Sequence, residues 1–308
     1  MNKEEFDFIL FDRVEKIKAI DEVYNLKDNA YISFSGGKDS TILHYLIDIA
    51  LPNNKIPRLF INTGIEYQDI RKYVKEMSLS DNRIIVLNSG VNIKEMLNKY
   101  GYPFKSKQHS HNLAIYQHSG NTITIKKYLK KIEGNKTITC PKILEYNFTP
   151  EFKIKCSENC CIQMKKKPAK KWSFENNKSI VLTGMRSKEG GQRLGANCIV
   201  TDKDNKLVKF HPLLVVSEEW EEEFLKRNNI KLCKLYYPPY NFKRTGCKGC
   251  PFALKLQDEL DIMEKLLPNE AKQCEILWKP VYEEYRNIGY RLRKNGVCKQ
   301  LSIFDMEV

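Results

Sequence analysis

The sequence contains no long apolar run and, within its first 139 residues, no cysteine. No stretch reaches the roughly 20 consecutive apolar residues that a membrane-spanning helix requires. The N-terminal MNKEEFDFIL is rich in acidic side chains and shows no small-residue cleavage pattern of a secretory signal. These absences favour a cytoplasmic protein with no membrane partner, in which cysteines stay reduced and no disulfide framework forms.

Acidic residues are scarce relative to basic ones. The chain of 308 residues has 38 Asp and Glu against 52 Lys and Arg, which gives a formal net charge of +14. Such an excess favours polyanionic partners, either DNA or RNA or a highly phosphorylated small substrate. Lysines cluster at 126–131 and 165–171. A solvated surface explains lysine runs equally well, so charge alone does not decide.

Four short apolar runs predict buried parallel strands. They cover residues 30–34, 58–62, 83–87 and 179–184. Helical periodicity is found at 3–25, 39–50 and 66–78. Strands alternating with helices in this way predict an α/β fold with a doubly wound, mainly parallel sheet.

The rest of the chain predicts a hairpin, further helices and a cysteine-bearing insertion. The hairpin covers 198–210, and a helix over 217–229 has Ser217 as its N-cap. The C-terminal region, about 254–295, is predicted helical with interruptions at Pro268 and Pro280. We therefore expect an α/β domain over 1–250, with the insertion at about 100–178, followed by a helical C-terminal extension over 251–308.

A glycine-rich turn connects the first predicted strand to the next helix. It consists of Ser35, Gly36, Gly37, Lys38, Asp39 and Ser40. Glycines at a helix N-terminus let phosphate oxygens approach backbone N–H groups, while the lysine adds a positive charge and the serines add hydroxyl donors. The spacing is not that of a Walker A loop or of a dinucleotide fingerprint. The turn therefore predicts a different kind of phosphate site.

The segment SFSGGKDS strongly resembles the pyrophosphate-binding loop of N-type ATP pyrophosphatases, and the chain looks most like their PAPS (phosphoadenosine phosphosulfate) reductase branch. Similar segments recur at INTGIEY (61–67), TGMRSKEGGQR (183–193) and HPLLVVSEEW (211–220). By analogy, the remaining nucleotide contacts would come from Asn62, Thr63, Gly64, Gly184, Arg186 and Arg193. Gly190 departs from the branch, which has a serine there.

The cysteines form a second group of candidate functional residues. Cys160 and Cys161 are adjacent, and Cys247 and Cys250 form a C-x-x-C knuckle. Four thiolates suit zinc or an iron–sulfur cluster, and their spacing leaves both open, together with free thiols. The order, a Cys-Cys pair before a basic stretch and a later Gly-Cys-x-x-Cys, resembles that of [4Fe-4S] adenylyl-sulfate reductases. The resemblance thus implies a [4Fe-4S] cluster on these four cysteines, with Cys156 in reserve.

The C-terminal Glu-Cys-Gly-Leu-His segment of these reductases, whose cysteine attacks the sulfonate sulfur, has no counterpart here. The only tail cysteine is Cys298, in NGVCKQL. The catalytic residues expected from the resemblance are Lys38, Asp39 and Arg186, with Cys298 as the alternative nucleophile in an altered setting. Otherwise Cys298 is a thiol without a catalytic role.

Two reactions remain open for such a protein. It could reduce APS (adenylyl sulfate) or PAPS with a thioredoxin-like reductant. Alternatively, it could use ATP, with Mg²⁺ as a companion ion, to adenylylate an acceptor that then receives sulfur, as in DNA phosphorothioation and tRNA thiolation. A third reading is a non-catalytic partner that binds nucleotide and DNA, because Gln300–Phe304 resembles the pentapeptide that docks on the replication sliding clamp.

One polar stretch, KSKQHSHN (105–112), contains His109 and His111. A solvated loop explains these histidines better than a metal site. Within it, Lys107 is the residue expected to contact a nucleotide phosphate.

Overall fold

The computed structural model describes residues 1–132, 139–187 and 195–294. The chain divides into two compact units, each built from two segments. Unit 1 comprises Met1–Val91 and Gln163–Cys247, and unit 2 comprises Asn92–Ile162 and the chain from Lys248 onward. The chain thus leaves unit 1 after its first three strands and returns to it later.

A six-stranded sheet forms the centre of unit 1. Its strands are β1 (Ala30–Ser33), β2 (Arg58–Asn62), β3 (Ile84–Asn88), β4 (Ile180–Leu182), β5 (Ile199–Thr201) and β6 (Leu207–Phe210). They lie in the order β3-β2-β1-β4-β6-β5. Neighbouring strands pair in parallel except β5 and β6, which pair antiparallel as the predicted hairpin. The predicted α/β class with a doubly wound, mainly parallel sheet is confirmed.

The helices fall in both units. They are, in chain order, α1 (Lys3–Tyr24), α2 (Leu26–Asn29), α3 (Lys38–Ala50), α4 (Gln68–Ser80), α5 (Ile93–Tyr100), α6 (Lys107–Ser119), α7 (Ile123–Tyr128), α8 (Asn159–Cys161), α9 (Lys167–Glu175), α10 (Glu218–Arg227), α11 (Leu256–Leu266) and α12 (Pro268–Ile288). Shorter 3-10 turns cover Lys142–Phe148 and Lys234–Tyr236, and a π-helical turn covers Ile162–Lys166. None of the described helices is long and apolar enough to span a bilayer.

Helix α9 covers one face of the sheet in unit 1. Its Trp172 packs against Tyr31 of β1 and Leu59 of β2, and the Tyr31 and Trp172 rings meet edge to face at 5.6 Å. Side chains alternate along a strand, so Ile32, which is fully buried, points away from Tyr31. Helix α3 contacts β1, α1 and α10. The carboxyl ends of β1, β2 and β4 are thereby fixed by packing, and ligands bind at such ends in open α/β sheets.

Local sequence signals set several helix ends in unit 1. The Asn2 side chain accepts a hydrogen bond from the Glu5 backbone N–H at the start of α1. At α10, the predicted N-cap Ser217 accepts from the Trp220 backbone N–H at 3.2 Å. Such caps satisfy N–H groups that have no partner within the helix.

Unit 2 corrects two expectations about local structure. Pro268 does open α12, but Pro280 lies inside that helix and does not interrupt it. Proline removes the hydrogen bond to the carbonyl four residues earlier, and here that residue is the exposed Ile276, whose carbonyl can bond to water. The polar stretch 105–112 is not a solvated loop, because α6 starts at Lys107 and buries His109 against Tyr128 and Asn147.

Candidate functional site

The glycine-rich turn between β1 and α3 packs closely against α4. Gly36 has a φ of +69°, in the left-handed region. A Cβ atom there would lie 2.6 Å from Val74 Cγ2 and 3.2 Å from Ile70 Cγ2. A side chain would therefore be both strained and obstructed, which explains why glycine occupies this position.

Two serine hydroxyls hold the turn in shape. The Ser35 backbone N–H donates to Ser40 Oγ at 3.1 Å, and the two hydroxyl oxygens are 3.0 Å apart. Ser40 Oγ also donates to the Gly37 carbonyl at 3.0 Å. Gly37 is the N-cap of α3 and offers no side-chain cap to the first N–H groups of the helix. A helix N-terminus is a general site for anions, and this is the position at which the sequence predicts a nucleotide phosphate.

Two cations beside this turn meet one buried carboxylate. Lys38 Nζ is 3.2 Å from Glu221 Oε2, and Arg186 Nε is 3.1 Å from Glu221 Oε1. Lys38 Nζ also lies 3.2 Å from Glu218 Oε1, and Arg186 Nε lies 3.5 Å from Asp39 Oδ1. Glu221 is fully buried and Glu218 is half exposed. Because water screens charges less in the interior, the electrostatic interaction with the cations is stronger for Glu221 than for Glu218.

Burial and charge set the pKa values in this group. Burial raises the pKa of Glu221 to about 8, and the nearby Asp39 adds to the increase against the pull of Lys38 and Arg186. Burial alone would lower the pKa of Lys38, but Glu221 and Glu218 together raise it. The hydrogen bond from Lys38 holds the pKa of Glu218 below its usual value. Near neutral pH Lys38 is therefore charged, and Glu221 is a carboxyl that can hold a proton.

Gly184, after β4, touches the backbone of α3. A Cβ atom at this position would lie 2.6 Å from the Asp39 carbonyl oxygen and 3.1 Å from the Ser40 nitrogen. The close approach brings Arg186, two residues later, to the same end of α3. The structure thus places Gly184 and Arg186 next to the Ser35–Ser40 turn.

The segment after β2 forms its own hydrogen-bonded turn. The buried Glu66 carboxylate accepts from the Thr63 backbone N–H at 2.9 Å and from Thr63 Oγ1 at 2.7 Å. Gly64 has a φ of +82° and donates its N–H to Asn62 Oδ1 at 3.2 Å. Asn62 Nδ2 in turn donates to Asn88 Oδ1 at the end of β3, at 3.0 Å. The three predicted nucleotide contacts Asn62, Thr63 and Gly64 therefore lie on one ordered turn.

A predicted cluster ligand lies beside this turn. Cys247 pairs with Glu66 through an isolated antiparallel bridge. Lys165 Nζ is 3.2 Å from Glu66 Oε1. Burial alone would lower the pKa of Lys165, but the Cys247 sulfur and the Glu66 carboxylate raise it. One ammonium group therefore bridges a thiol and the carboxylate that orders Thr63.

The other predicted cluster ligands belong to unit 2. Cys160 and Cys161 lie in α8, and Cys250 follows Gly249, which has a φ of +57°. The nine cysteines of the described ranges form no disulfide. Within those ranges no three His, Cys, Asp or Glu side chains form a group that could hold a metal ion. The four predicted cysteines all lie in the described ranges and do not form such a group there, so the cluster stays a prediction.

The remaining predicted residues lie elsewhere. Lys107 is the first residue of α6, in unit 2, and is preceded by the N-cap Ser106. Arg193, Gly190, Cys298 and Gln300–Phe304 lie outside the described residues.

Several residues of the site could not be inferred from the sequence. Tyr236 accepts the Lys38 backbone N–H on its hydroxyl at 2.9 Å, and that hydroxyl is 2.6 Å from Thr245 Oγ1. Glu218 and Glu221 fit equally well the acidic first turn expected of any helix. The one sequence feature that distinguishes Glu221 is that it directly follows Trp220, and both side chains are buried.

A cavity of about 470 Å³ lies in unit 1 beside the end of β3. The strand end contributes Leu87, Asn88, Ser89 and Val91, and the α9 side contributes Gln163, Lys167, Pro168, Lys171, Trp172 and Glu175. The cavity combines an indole, amide groups and two ammonium groups. It is next to the predicted nucleotide turn, because Asn88 is the partner of Asn62.

These features define a doubly wound α/β protein with a glycine-rich turn at the carboxyl end of its central strand. The chain matches the family model described as the phosphoadenosine phosphosulfate reductase domain, over residues 29–140 and 122–253. It therefore belongs to the phosphoadenosine phosphosulfate reductase domain family, as its motifs predicted.

Curated relatives and solved structures show more distant likenesses. An uncharacterized protein of Methanocaldococcus jannaschii is 30% identical over 149 residues, covering 46% of this chain and 34% of the relative. A second uncharacterized protein of that organism is 26% identical over 288 residues, covering 89% of this chain and 46% of the relative. The chain thus spans less than half the length of these two relatives.

Two solved structures share part of the architecture. The phosphoadenylyl-sulfate reductase of Candida auris, in a phosphate complex, aligns with a TM-score of 0.45 and 14% identity, covering 80% of this chain and 96% of that one. The U34-tRNA thiolase NcsA of Methanococcus maripaludis, with its [4Fe-4S] cluster, aligns with a TM-score of 0.40 and 17% identity, covering 99% of this chain and 86% of that one.

Proposed function

We propose that this protein binds an adenine nucleotide (ATP, APS or PAPS) through its phosphate or sulfate groups at Ser35–Ser40 and carries out sulfur chemistry on an adenylylated or sulfated substrate. The observation that carries the proposal is that Lys38, the first residue of α3, and Arg186, which pairs with Asp39 in the same turn, lie together and share the Glu221 carboxylate. A helix N-terminus with two neighbouring cations is suited to phosphate or sulfate oxygens.

Each part of the site has a role in this proposal. Lys38 and Arg186 stabilise negative charge on the phosphate or sulfate that is attacked or that leaves. Asp39, 3.5 Å from Arg186, orients that guanidinium and is where a Mg²⁺ companion of ATP would be sought. The nucleotide would further contact the turn at Asn62, Thr63 and Gly64, with Arg193 and Lys107 as additional phosphate contacts.

The sulfur part of the proposal rests on the residues around Cys247. Lys165 contacts both this cysteine and Glu66, so a thiol lies near the turn that would hold the nucleotide. In this proposal Cys160, Cys161, Cys247 and Cys250 would hold a [4Fe-4S] cluster, whose donor requirement of four thiolates they meet. When bound, such a cluster supplies redox-active iron and inorganic sulfide. Lys165 would offset negative charge at Cys247.

The cluster proposal is tested by anaerobic purification of the wild type and of Cys247→Ser and Cys250→Ser variants. We expect brown protein with about four irons per chain in the wild type, and loss of colour and iron in both variants. Cys274→Ser, which changes a fully buried cysteine outside the proposed set, is the control and should keep its iron. Colourless wild-type protein with stoichiometric zinc would contradict the cluster.

The reaction is tested with ATP and PAPS in parallel. Sulfite release from PAPS with a thioredoxin-like reductant, lost in Cys298→Ser, would support reduction with Cys298 as nucleophile. Pyrophosphate release from ATP that requires an added acceptor would support adenylylation followed by sulfur transfer. Both activities should fall at least about a hundredfold in Lys38→Ala, because that variant loses a cation placed for the transition state. Turnover of neither nucleotide would contradict the proposed function.

A specific observation favours a nucleic acid as the acceptor. The cavity beside β3 combines Trp172, Asn88 and Gln163 with Lys167 and Lys171. An aromatic ring, amide groups and ammonium groups are what a nucleobase and its phosphate require. The net charge of +14 suits the same substrate class. On this basis we expect pyrophosphate release from ATP to depend on DNA or RNA, and the small-molecule reaction with PAPS would be the alternative.

A further inference from the structure

We propose that Glu221 is a positioning residue that, in its ionised form, holds Lys38 and Arg186 in the empty site and gives them up to an incoming phosphate or sulfate group, taking a proton from solvent as it does so. The inference rests on the proposed function of the Ser35–Ser40 turn as an anion site. It adds a proton-linked exchange between a carboxylate of the protein and the anion of the ligand.

Glu221 forms a buried ion-pair group with the two cations, and Lys38 also donates a hydrogen bond to Glu218. Glu221 Oε2 and Oε1 lie 3.2 Å from Lys38 Nζ and 3.1 Å from Arg186 Nε. Yet Glu221 Oε1 and Arg186 Nε are buried atoms that have no hydrogen-bond partner within the described chain. Buried polar atoms are nearly always hydrogen-bonded. Because these atoms are not, replacing Glu221 by a ligand oxygen as the partner of Arg186 breaks no hydrogen bond between the two side chains. A ligand oxygen could supply the missing bond to Arg186.

Lys38 and Arg186 cannot neutralise the charge of Glu221 and the charge of a bound anion at the same time. A phosphate at the start of α3 would attract Lys38 and Arg186 and repel a carboxylate that has no water around it. An ionised Glu221 without its cations would be a buried, uncompensated charge, which is strongly unfavourable. Protonation removes that charge, so the anion and the proton are expected to bind together.

The other charged groups around Glu221 reinforce this outcome. Asp39 faces it from α3, Glu218 lies one turn earlier on α10, and Lys38 and Arg186 are the cations. Burial and Asp39 already raise the pKa of Glu221 to about 8 in the empty site. A bound anion raises it further. Proton uptake is therefore expected between pH 8 and the higher pKa of the complex, and nucleotide affinity should fall as pH increases through that range.

The wild-type protein provides the first test. A non-hydrolysable ATP analogue and inorganic pyrophosphate are titrated by calorimetry at pH 8.5 in two buffers of different ionisation enthalpy. We expect uptake on the order of half a proton or more for the ATP analogue. Pyrophosphate, which still carries a proton of its own near this pH, reports binding only. Between pH 7 and pH 9 the analogue should bind about tenfold more weakly, although its phosphates are already ionised above pH 8. Binding without proton uptake would overturn the proposal.

Two matched variants assign the effect to Glu221. Glu221→Gln keeps the shape of the side chain without its charge, so affinity should become independent of pH and about tenfold tighter than wild type at pH 9. Glu218→Gln is the control, because Glu218 also contacts Lys38 and its pKa is lowered, so it is ionised throughout this range. It should change affinity by the same factor at every pH and retain the wild-type slope.

The outcomes separate this proposal from the proposed function. If the analogue binds with the same pH slope in Glu221→Gln as in wild type, the role of Glu221 is wrong while nucleotide binding stands. If neither analogue nor pyrophosphate binds the wild type at any pH, both are wrong. If Glu221→Gln does not fold, the calorimetric proton count on the wild type still decides, because a merely structural carboxyl would leave that count at zero.

Discussion

Gly184 occupies a position where backbone atoms of α3 leave no space for a side chain. The Asp39 carbonyl oxygen lies 2.6 Å from where a Cβ atom would be, and a backbone atom cannot move aside as a flexible side chain can. We therefore predict that Gly184→Ala shifts the start of α3 and weakens ATP-analogue binding by about tenfold or more, at a stability cost of about 1–3 kcal/mol.

Thermal unfolding and analogue titration together measure this effect. The control is Gly195→Ala, because an added Cβ atom at Gly195 would meet no atom of the described residues within 4 Å. That variant should match the wild type in both measurements. Wild-type affinity in Gly184→Ala would show that the contact between Gly184 and α3 does not position the Ser35–Ser40 turn for the nucleotide.

Local and distant residues of the site differ in how far the sequence identifies them. The turn Ser35–Ser40 is recognisable because strand, glycines, lysine and helix follow one another directly in the chain. Tyr236, 198 residues from Lys38, reaches the same turn only through the fold. Glu221 is equally hidden, since its role depends on burial that an acid-rich helix start does not reveal. Residues of the site that are neighbours in the sequence can be identified from it, whereas residues that join the site only through tertiary contacts cannot.

The packing of α3 against β2 contains a buried charge network with a clear pH signature. His44 of α3 accepts a hydrogen bond from Arg58 Nε at 3.1 Å, and Asp48 pairs with both Arg58 and Arg83. Burial, together with the positive charge of Arg58, lowers the pKa of His44 from 6.5 to about 4. His44 is therefore neutral in the folded protein at a pH where it would be protonated in the unfolded chain.

We predict that the free energy of unfolding decreases as pH falls from 6.5 to 4, by about 3 kcal/mol from His44 alone. The sign follows because the unfolded chain binds the proton first as the pH falls. His44→Gln should lose this part of the pH dependence, measured by urea unfolding at several pH values. His118→Gln, at an exposed position of α6, is the control. Equal slopes in the two variants would contradict the assignment to His44.

Strands and helices with strong apolar periodicity were predictable, and those set by tertiary contacts were not. The runs 58–62 and 83–87 correspond within one residue to β2 and β3. In contrast, the weakly patterned residues 105–112 were predicted as a loop, and they form the start of α6 because His109 is buried by residues 19 and 38 positions further on. The predicted interruption at Pro280 was wrong for the same reason, because tertiary packing of α12 outweighs the local tendency of proline to end a helix.

The division of the chain into two compact units is the structural feature that is hardest to predict from the sequence. Each compact unit is assembled from two separated segments, and no low-complexity linker marks the crossings near residues 91, 162 and 247. A property that the whole sequence does reveal is its net charge of +14. If the acceptor is a nucleic acid, that charge should act through particular lysines, and those that line the cavity beside β3 are the ones to test.

We predict that a short single-stranded oligonucleotide binds the protein with an affinity that falls steeply with salt, and that the Lys167→Gln/Lys171→Gln double variant binds it about tenfold more weakly. Each lost phosphate contact should reduce the slope of log K against log salt by about 0.7. Fluorescence anisotropy at several salt concentrations measures both quantities. Lys170→Gln is the control, because Lys170 lies on the same helix outside the cavity lining.

The same variants also separate an acceptor site from the base pocket of the bound nucleotide. An acceptor site predicts that Lys167→Gln/Lys171→Gln leaves binding of the ATP analogue unchanged while oligonucleotide binding and oligonucleotide-dependent pyrophosphate release decline. Weaker analogue binding in the double variant would instead assign the cavity to the nucleotide itself, which is plausible on geometry because Asn88 connects the cavity wall to Asn62. Equal oligonucleotide binding by wild type, double variant and Lys170→Gln would contradict a nucleic-acid role for this face of α9.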